Sequence, residues 1–567
     1  MPLDDSNSKR PAGWFSEPPR RAFPVLATLI AAFLFLVLPE AVRPLETHSD
    51  EHYYVVGAAR MLAGGDYVIP QTLAGEVRLK KPPMAYYYIV AGRTLFPLSP
   101  FATKFLWLVS AAGVLALTFA MARSVGATLT GAAVAVAALA GHRVFFRSAT
   151  QHIPDMPLLL GVTLALAAFA TLLSDRSGGR FWLYLAGYGG VAFAMLGKGL
   201  VALVVVAVFW AVRGVSRGAD ARPDGDLGRE AAAFAIALLA AGWWFVLAAV
   251  QEPGTFRSDF LGDQVTEKVR FSLSLFLGNL RKTITDLWVP LLPVAVAVLL
   301  RRWNWSGWRR LERPILFLIV WAVAILCLFA FSSALYERYI LPAIPAVAVL
   351  LGYAADRIAP QDLRVRFLRV LRLVAVFPLF VGLAALAVLV ALHQSAAALL
   401  TLLSLAACLA AVLTCGRRWP VWAVAALVGM ILPVTLAMIS PLRYALAAPT
   451  NAEFVARVIG ASGVPPDRVY LFASRKRAGD VGVYLPGVED WVYPADLSSL
   501  PEAGSSAVVF TDKALTDDLA ARGYEIGESR DFASGFSASD AWAAIRARDA
   551  AQLRRKHGEP VYVAIRR

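Results

Sequence analysis

The chain reads as a polytopic α-helical membrane protein with about thirteen spans and a small C-terminal α/β domain. Three observations lead there. Of its 567 residues, 58% are hydrophobic and 17% charged, against about half and about a quarter in a soluble domain. The apolar residues fall in runs of about twenty, the length that crosses a bilayer. Arginine gathers in alternate connections between those runs, the asymmetry that orients membrane proteins.

The runs lie near 23–42, 103–122, 127–141, 155–173, 181–196, 199–213, 231–250, 284–300, 314–331, 338–355, 368–391, 396–415 and 419–440. Residues 1–22 form a polar N-terminal tail whose Lys9, Arg10, Arg20 and Arg21 precede the first run. That run is long for a signal-peptide core and no small-x-small cleavage site follows it, so an uncleaved first span with a cytoplasmic N-terminus is expected. An odd number of spans then assigns a face to every connection. The connections carrying Arg123, Arg176 and Arg180, Arg213 to Arg229, Arg301 to Arg313, Arg357 to Arg372, and Arg417 with Arg418 all fall on the cytoplasmic side. The net charge of +15 is thereby explained by topology, and nucleic-acid binding is excluded as a function class. Cys327, Cys408 and Cys415 lie in apolar runs and read as small core residues, with neither a disulfide framework nor a metal set.

The expected division is a tail at 1–22, a membrane region at 23–443 containing a first extracytoplasmic loop at 43–102, and a soluble α/β domain at 444–567 on the same side as that loop. In the last domain 468–473, 482–485 and 507–511 read as short buried strands, and 451–459 and 515–522 as helices behind capping residues. It holds no Gly-rich phosphate loop, nucleophile elbow or metal-ligand spacing, so an accessory or acceptor-binding role is expected.

The first loop carries the chemistry. It begins with Asp50 and Glu51 and ends with Lys80, Lys81 and two prolines, acid and base held at a membrane surface, which suits an anionic lipid-linked substrate. His52 to Leu62 has the spacing of a surface-lying amphipathic helix, closed by Gly64 and Gly65, and Met84 to Leu95 reads as a second interfacial helix begun by Pro82 and Pro83. Asp50 can accept a proton from an attacking hydroxyl or orient an ionised phosphate; the competing role is capping of the helix behind it. Asp155, at the start of the fourth span, has the same pair of readings, helix N-cap or functional acid. Lys81, Arg147, Lys198 and Arg270 are the extracytoplasmic cations suited to charge building on a departing phosphate, each set against a snorkelling role at the headgroups. Lys198 lies between two glycines with no acidic neighbour in sequence. Arg338 and Tyr339, at the mouth of the tenth span, complete the candidates, with Tyr339 equally suited to an interfacial anchor.

Taken in order, Asp50–Glu51, the MLAGGDYVIP segment at 61–70, the KPP at 81–83, Arg147 before Pro154-Asp155-Met156-Pro157, Leu196-Gly197-Lys198-Gly199, and Phe331-Ser332-Ser333 leading to Arg338-Tyr339 with Leu341-Pro342 and Pro345 resemble the polyprenyl-phosphate-sugar-dependent glycosyltransferases of the GT-C class. The similarity is greatest to the ArnT-like branch, the lipid A aminoarabinose transferases, and extends to the protein O-mannosyltransferases. It covers roughly residues 20–355. The resemblance implies a GT-C fold and an inverting glycosyltransferase of a bacterial inner membrane. Such an enzyme moves a pentose or hexose from an undecaprenyl phosphate carrier to lipid A, another glycolipid or a protein outside the cytoplasm. It implies Asp50, Glu51 and Asp155 as catalytic acids and Lys81, Arg147, Lys198, Arg270, Arg338 and Tyr339 as donor-phosphate contacts. Where ArnT-like proteins carry Glu before the lysine of the KP motif this chain has Lys80, and the histidine motif expected after Arg270 is missing, so no metal or other cofactor is expected. The expected partners are the lipid-linked donor, a lipid or glycolipid acceptor and membrane lipids, around a monomer. A flippase of a lipid-linked sugar is the competing class; it calls for repeat symmetry between halves and charge near mid-bilayer, and the candidate residues instead gather at one face.

Overall fold

The computed structural model describes residues 19–44, 48–174, 180–215, 225–266, 272–299, 312–447, 449–531, 538–549 and 551–567. Among them the apolar runs are helices, which bilayer spans must be because only internal backbone hydrogen bonding is available in lipid. Eight are long and apolar enough to cross a membrane, or up to ten if each of two bent pairs is one span. The bends are 79° between Leu273–Trp288 and Leu292–Leu299, and 55° between Val421–Gly429 and Ile431–Leu446. The apolar runs expected near 127–141 and 199–213 fall on shorter helices, Leu129–Ala140 and Leu200–Val215.

In chain order, α1 is Pro19–Val42, α2 Glu51–Gly64, α3 Met84–Leu95, α4 Pro100–Ser124, α5 Leu129–Ala140, α6 Arg143–Ser148, α7 Asp155–Leu173 and α8 Arg180–Lys198. α7 packs along both α4 and α8, which sets the first residue of α7 beside the last of α8. The helix Arg313–Ala330 leads through a tight 3-10 turn, Glu337–Ala343, into Ile344–Ala355. That turn packs on α7, so Arg338 and Tyr339 arrive at the same end of the bundle.

The first loop carries the two short helices its sequence predicts, α2 and α3. Gly65, at φ 72°, takes the left-handed conformation that closes α2, donating its N–H to Met61 O. The expected surface position of α2 is corrected by the structure. Tyr54, Val55, Val56, Ala58, Ala59 and Met61 are all buried, because the membrane helices cover one side and the C-terminal residues cover another.

The C-terminal residues build one four-stranded sheet in the order β1-β2-β4-β3, with β1 Val469–Phe472, β2 Ser506–Phe510, β3 Glu525–Asp531 and β4 Glu559–Arg566. β1 and β2 are parallel; β4 runs antiparallel to both β2 and β3. A Thr450–Glu453 capping box starts the helix Asn451–Ser462 as its sequence predicts. The expected strand at 482–485 is instead a turn, since Val483 folds down into the membrane core. Strands β3 and β4 carry Glu528, Arg530 and Glu559, which masked their period.

Phe510 is fully buried and stacked on Tyr562 with centroids 5.1 Å apart. Phe510→Ala is expected to cost about 3–5 kcal/mol through the cavity it leaves, read as an earlier thermal transition of the near-ultraviolet circular dichroism.

Candidate active site

Asp155 is the centre of the site. As the first residue of α7 it follows Pro154, which occupies the cap position, so the expected N-cap role is not the one it plays. Its side chain is 2% exposed and faces two cations: Lys198 Nζ lies 2.5 Å from Oδ1, and Arg338 Nε 3.5 Å from Oδ2. Lys198, without an acidic neighbour in sequence, thus has one in space, delivered by the last residue of α8. Its ammonium also stands 4.7 Å from the centroid of the Tyr339 ring. The positive charge of Lys81 acts on Asp155 as well.

Arg338 links this buried carboxylate to the first loop. Its Nη2 lies 3.5 Å from Asp50 Oδ2 and its Nη1 2.5 Å from His48 Nε2. Burial, and then the neighbouring Arg338 guanidinium, push the His48 imidazole below its ordinary pKa. Its Nε2 faces Arg338, and its Nδ1 lies 3.1 Å from Asp50 N and 3.8 Å from Asp50 Oδ2. Asp50 sits at the cap position of α2 yet makes no side-chain capping bond, and its carboxylate is 43% exposed. The two acids are therefore in unlike surroundings, Asp155 enclosed by cations and Asp50 open.

Glu51 turns the other way. Its carboxylate is 2% exposed and accepts from His48 N at 2.6 Å and from His152 Nδ1 at 2.7 Å. His152 Nε2 continues the chain to Thr103 Oγ1 at 2.9 Å. Burial alone would raise the Glu51 pKa, but the His152 hydrogen bond and the charges of His152 and Lys104 outweigh it and hold the carboxyl down at about 2. Glu51 is an ionised anchor that joins α2 to the start of α4 and to the segment before α7. His152, His48 and Lys104 escape a reading of the sequence, since their partners lie on other elements.

Arg147 is placed elsewhere. It is exposed, and with His48, Ser49, Lys104, Arg143 and Arg443 it lines a cavity of about 640 Å³. Leu36, Phe146, Leu432 and Leu436 form the apolar walls. The Lys104 residue is only 2% exposed. His48 borders both this cavity and the Asp50–Arg338 pair, so the two spaces adjoin. Arg270 lies outside the described residues. Lys80 lines a separate, smaller space with Arg78, Arg475 and Asp259. Three cations around one acid do not fit a divalent metal, and no step here draws on one.

Because the folded-state pKa of Glu51 lies below its ordinary 4.5, its contribution to stability is full above that value and is lost as pH falls toward 2. The thermal midpoint of the wild type is expected to fall between pH 4.5 and pH 3, and Glu51→Gln is expected to flatten that slope while lowering the midpoint at pH 7.

Residues 23–249 match the family described as dolichyl-phosphate-mannose-protein mannosyltransferase. Among curated relatives, an undecaprenyl phosphate-alpha-4-amino-4-deoxy-L-arabinose arabinosyl transferase of Sodalis glossinidius is 28% identical, over 53% of this chain and 54% of its own. The corresponding protein of Edwardsiella ictaluri is 27% identical, over 67% and 65%. The chain thus spans less than two thirds of the length of these relatives. The crystal structure of ArnT from Cupriavidus metallidurans bound to undecaprenyl phosphate superposes with a TM-score of 0.69 at 20% identity, covering 96% of this chain and 98% of that one. The chain therefore shares the fold of the solved ArnT structure, and its sequence is similar to the ArnT-named transferases and, over residues 23–249, to the protein mannosyltransferase family.

Proposed function

We propose that the protein is an inverting glycosyltransferase that takes a sugar from a polyprenyl phosphate and passes it to an anionic lipid acceptor on the extracytoplasmic face. The observation that carries this reading is the division of labour between two carboxylates a few ångströms from one arginine. Such a displacement needs a nucleophile-side acid that is free to work and a leaving-group side that is positive. Asp50 is the exposed acid. The oxygen of the acceptor attacks the anomeric carbon as the bond from that carbon to the carrier phosphate breaks. Asp50 takes the proton of a hydroxyl acceptor or orients an acceptor phosphate already ionised. The departing carrier phosphate is stabilised by Lys198, Arg338 and Lys81. Asp155 does not reach for a proton in this scheme. It aims the lysine and the arginine, whose flexible side chains would otherwise lose their orientation in water.

The adjoining cavity supports a lipid acceptor over a protein hydroxyl. Its apolar walls suit acyl chains, and Lys104, Arg143 and Arg147 suit phosphate. Arg143 also pairs with Glu337, one residue before Arg338, at 2.5 Å, which ties the cavity wall to the catalytic turn. The relatives named above carry sugar specificity for aminoarabinose in their names; for this chain a pentose or a hexose on undecaprenyl phosphate is the proposed donor. The orientation proposed places the site and the sheet domain in the periplasm and the N-terminus in the cytoplasm, a reading that the arginine-rich connections support.

Purified protein incubated with labelled sugar on polyprenyl phosphate and an extracted lipid fraction is expected to yield labelled lipid. Asp50→Asn is expected to lower kcat by about 10²–10⁴-fold if the acceptor is a hydroxyl, with thermal stability unchanged, and Lys198→Ala to lower it by about 10²–10³-fold. Label that crosses a proteoliposome bilayer without transfer would mark a flippase and end this reading.

A further inference from the structure

We infer that the C-terminal sheet domain is a clamp that positions Asp50, acting through α2, and that Gly479 is where it meets the first turn of that helix. The inference rests on the transferase reading for its kinetic consequences and on the fold for its geometry. α2 is held between two cores. Tyr54, Val55, Ala58 and Met61 belong to the membrane core, while Val56 is built into the core of the sheet domain with Val455, Val481 and Trp491. Leu73, from the same loop, enters that second core as well. A helix of four turns at a membrane surface has little stability of its own, so both cores are needed to fix where its first turn lies.

The contact at that first turn is close. Gly479, in the helix Lys476–Val481, faces His52, two residues after Asp50. A Cβ added at Gly479 would fall 2.3 Å from His52 Cβ and 2.4 Å from His52 Cα, and backbone cannot move aside as a side-chain tip can. His52 is itself fixed, since its Nδ1 donates to Ser49 O at 2.7 Å. Burial holds its pKa down at about 4, so it carries no charge into this contact. At the other end of α2, Arg60 Nη2 donates to Leu73 O at 2.7 Å and to Glu489 O at 3.1 Å, joining the helix to the sheet domain a second time. Arg43, just past α1, closes a third link to Glu453 at 3.0 Å. None of these residues touches the Asp155 cluster; their effect on it runs through the position of α2.

The test uses the full chain with Gly479→Val, and with Gly460→Ala as a control whose added Cβ would meet Leu485 at an ordinary 3.5 Å. Hydrogen exchange of the amides of residues 51–64 is expected to quicken by about tenfold or more in Gly479→Val, with α4 and α7 unchanged. A misplacement of about 1 Å is expected to lower kcat by about 10²-fold while KM for donor and for acceptor stays within about twofold. In an Asp50→Asn background Gly479→Val is expected to cost less than about threefold, because the group it misplaces is already gone. Unchanged exchange, full activity, additive losses in the double variant, or a rise confined to acceptor KM would each overturn the clamp. Should Gly479→Val fail to fold, Arg60→Met is judged by the same readouts. Absence of transfer by the wild type would end the transferase reading, and the exchange data would still decide the clamp.

Discussion

The carboxylate of Asp155 is buried where an unpaired charge would be too costly to keep, and much of the site follows from that. Its partners come from distant parts of the chain, Lys198 from the end of α8 and Arg338 from the turn before Ile344–Ala355. Removing one member of such an enclosed set leaves the others uncompensated, a loss of about 3–5 kcal/mol. The cluster is therefore a structural knot as well as a charge array. It brings three helical segments to one end of the bundle, and any phosphate that enters meets cations already aimed.

Asp50 belongs to a different regime. It is open to solvent and its position depends on α2, whose two faces lie in two separate cores. Glu51, next to it, is fully enclosed and ionised by His152 and Lys104. Adjacent acids thus sit in opposite surroundings, Glu51 enclosed and fixing the helix and Asp50 open to solvent. The rotation of about 100° between successive helical residues is enough to separate them.

The Asp155 cluster and the cavity beside it offer different surroundings. The Asp155 cluster presents cations whose charge is partly balanced, suited to a phosphate that must bind and then leave. The cavity beside it has apolar walls and cations drawn from α4, α6 and the helix Ile431–Ala447, suited to an amphiphile that arrives from the bilayer. His48 stands where the two spaces join, hydrogen-bonded to the arginine that serves both acids.

Much of this was legible in the amino-acid order. Runs of apolar residues near the bilayer length dictate helices, because backbone hydrogen bonding in lipid leaves little freedom, and the ordered motifs single out Asp155, Lys198, Arg338 and Tyr339, which the structure brings to one end of the bundle. α3 falls on its expected residues, Met84–Leu95, since Pro83 starts it and an apolar face sustains it. What depends on distant residues was not legible. The pairing of Lys198 with Asp155, the Glu51–His152–Thr103 chain and the placement of Arg147 in a separate cavity arise from packing among helices far apart in sequence. α2 looked like a surface helix because its amphipathic period was judged against water and lipid alone. Only the tertiary structure supplied its second cover, the sheet domain some four hundred residues downstream, and with it the reason that Gly479 faces His52.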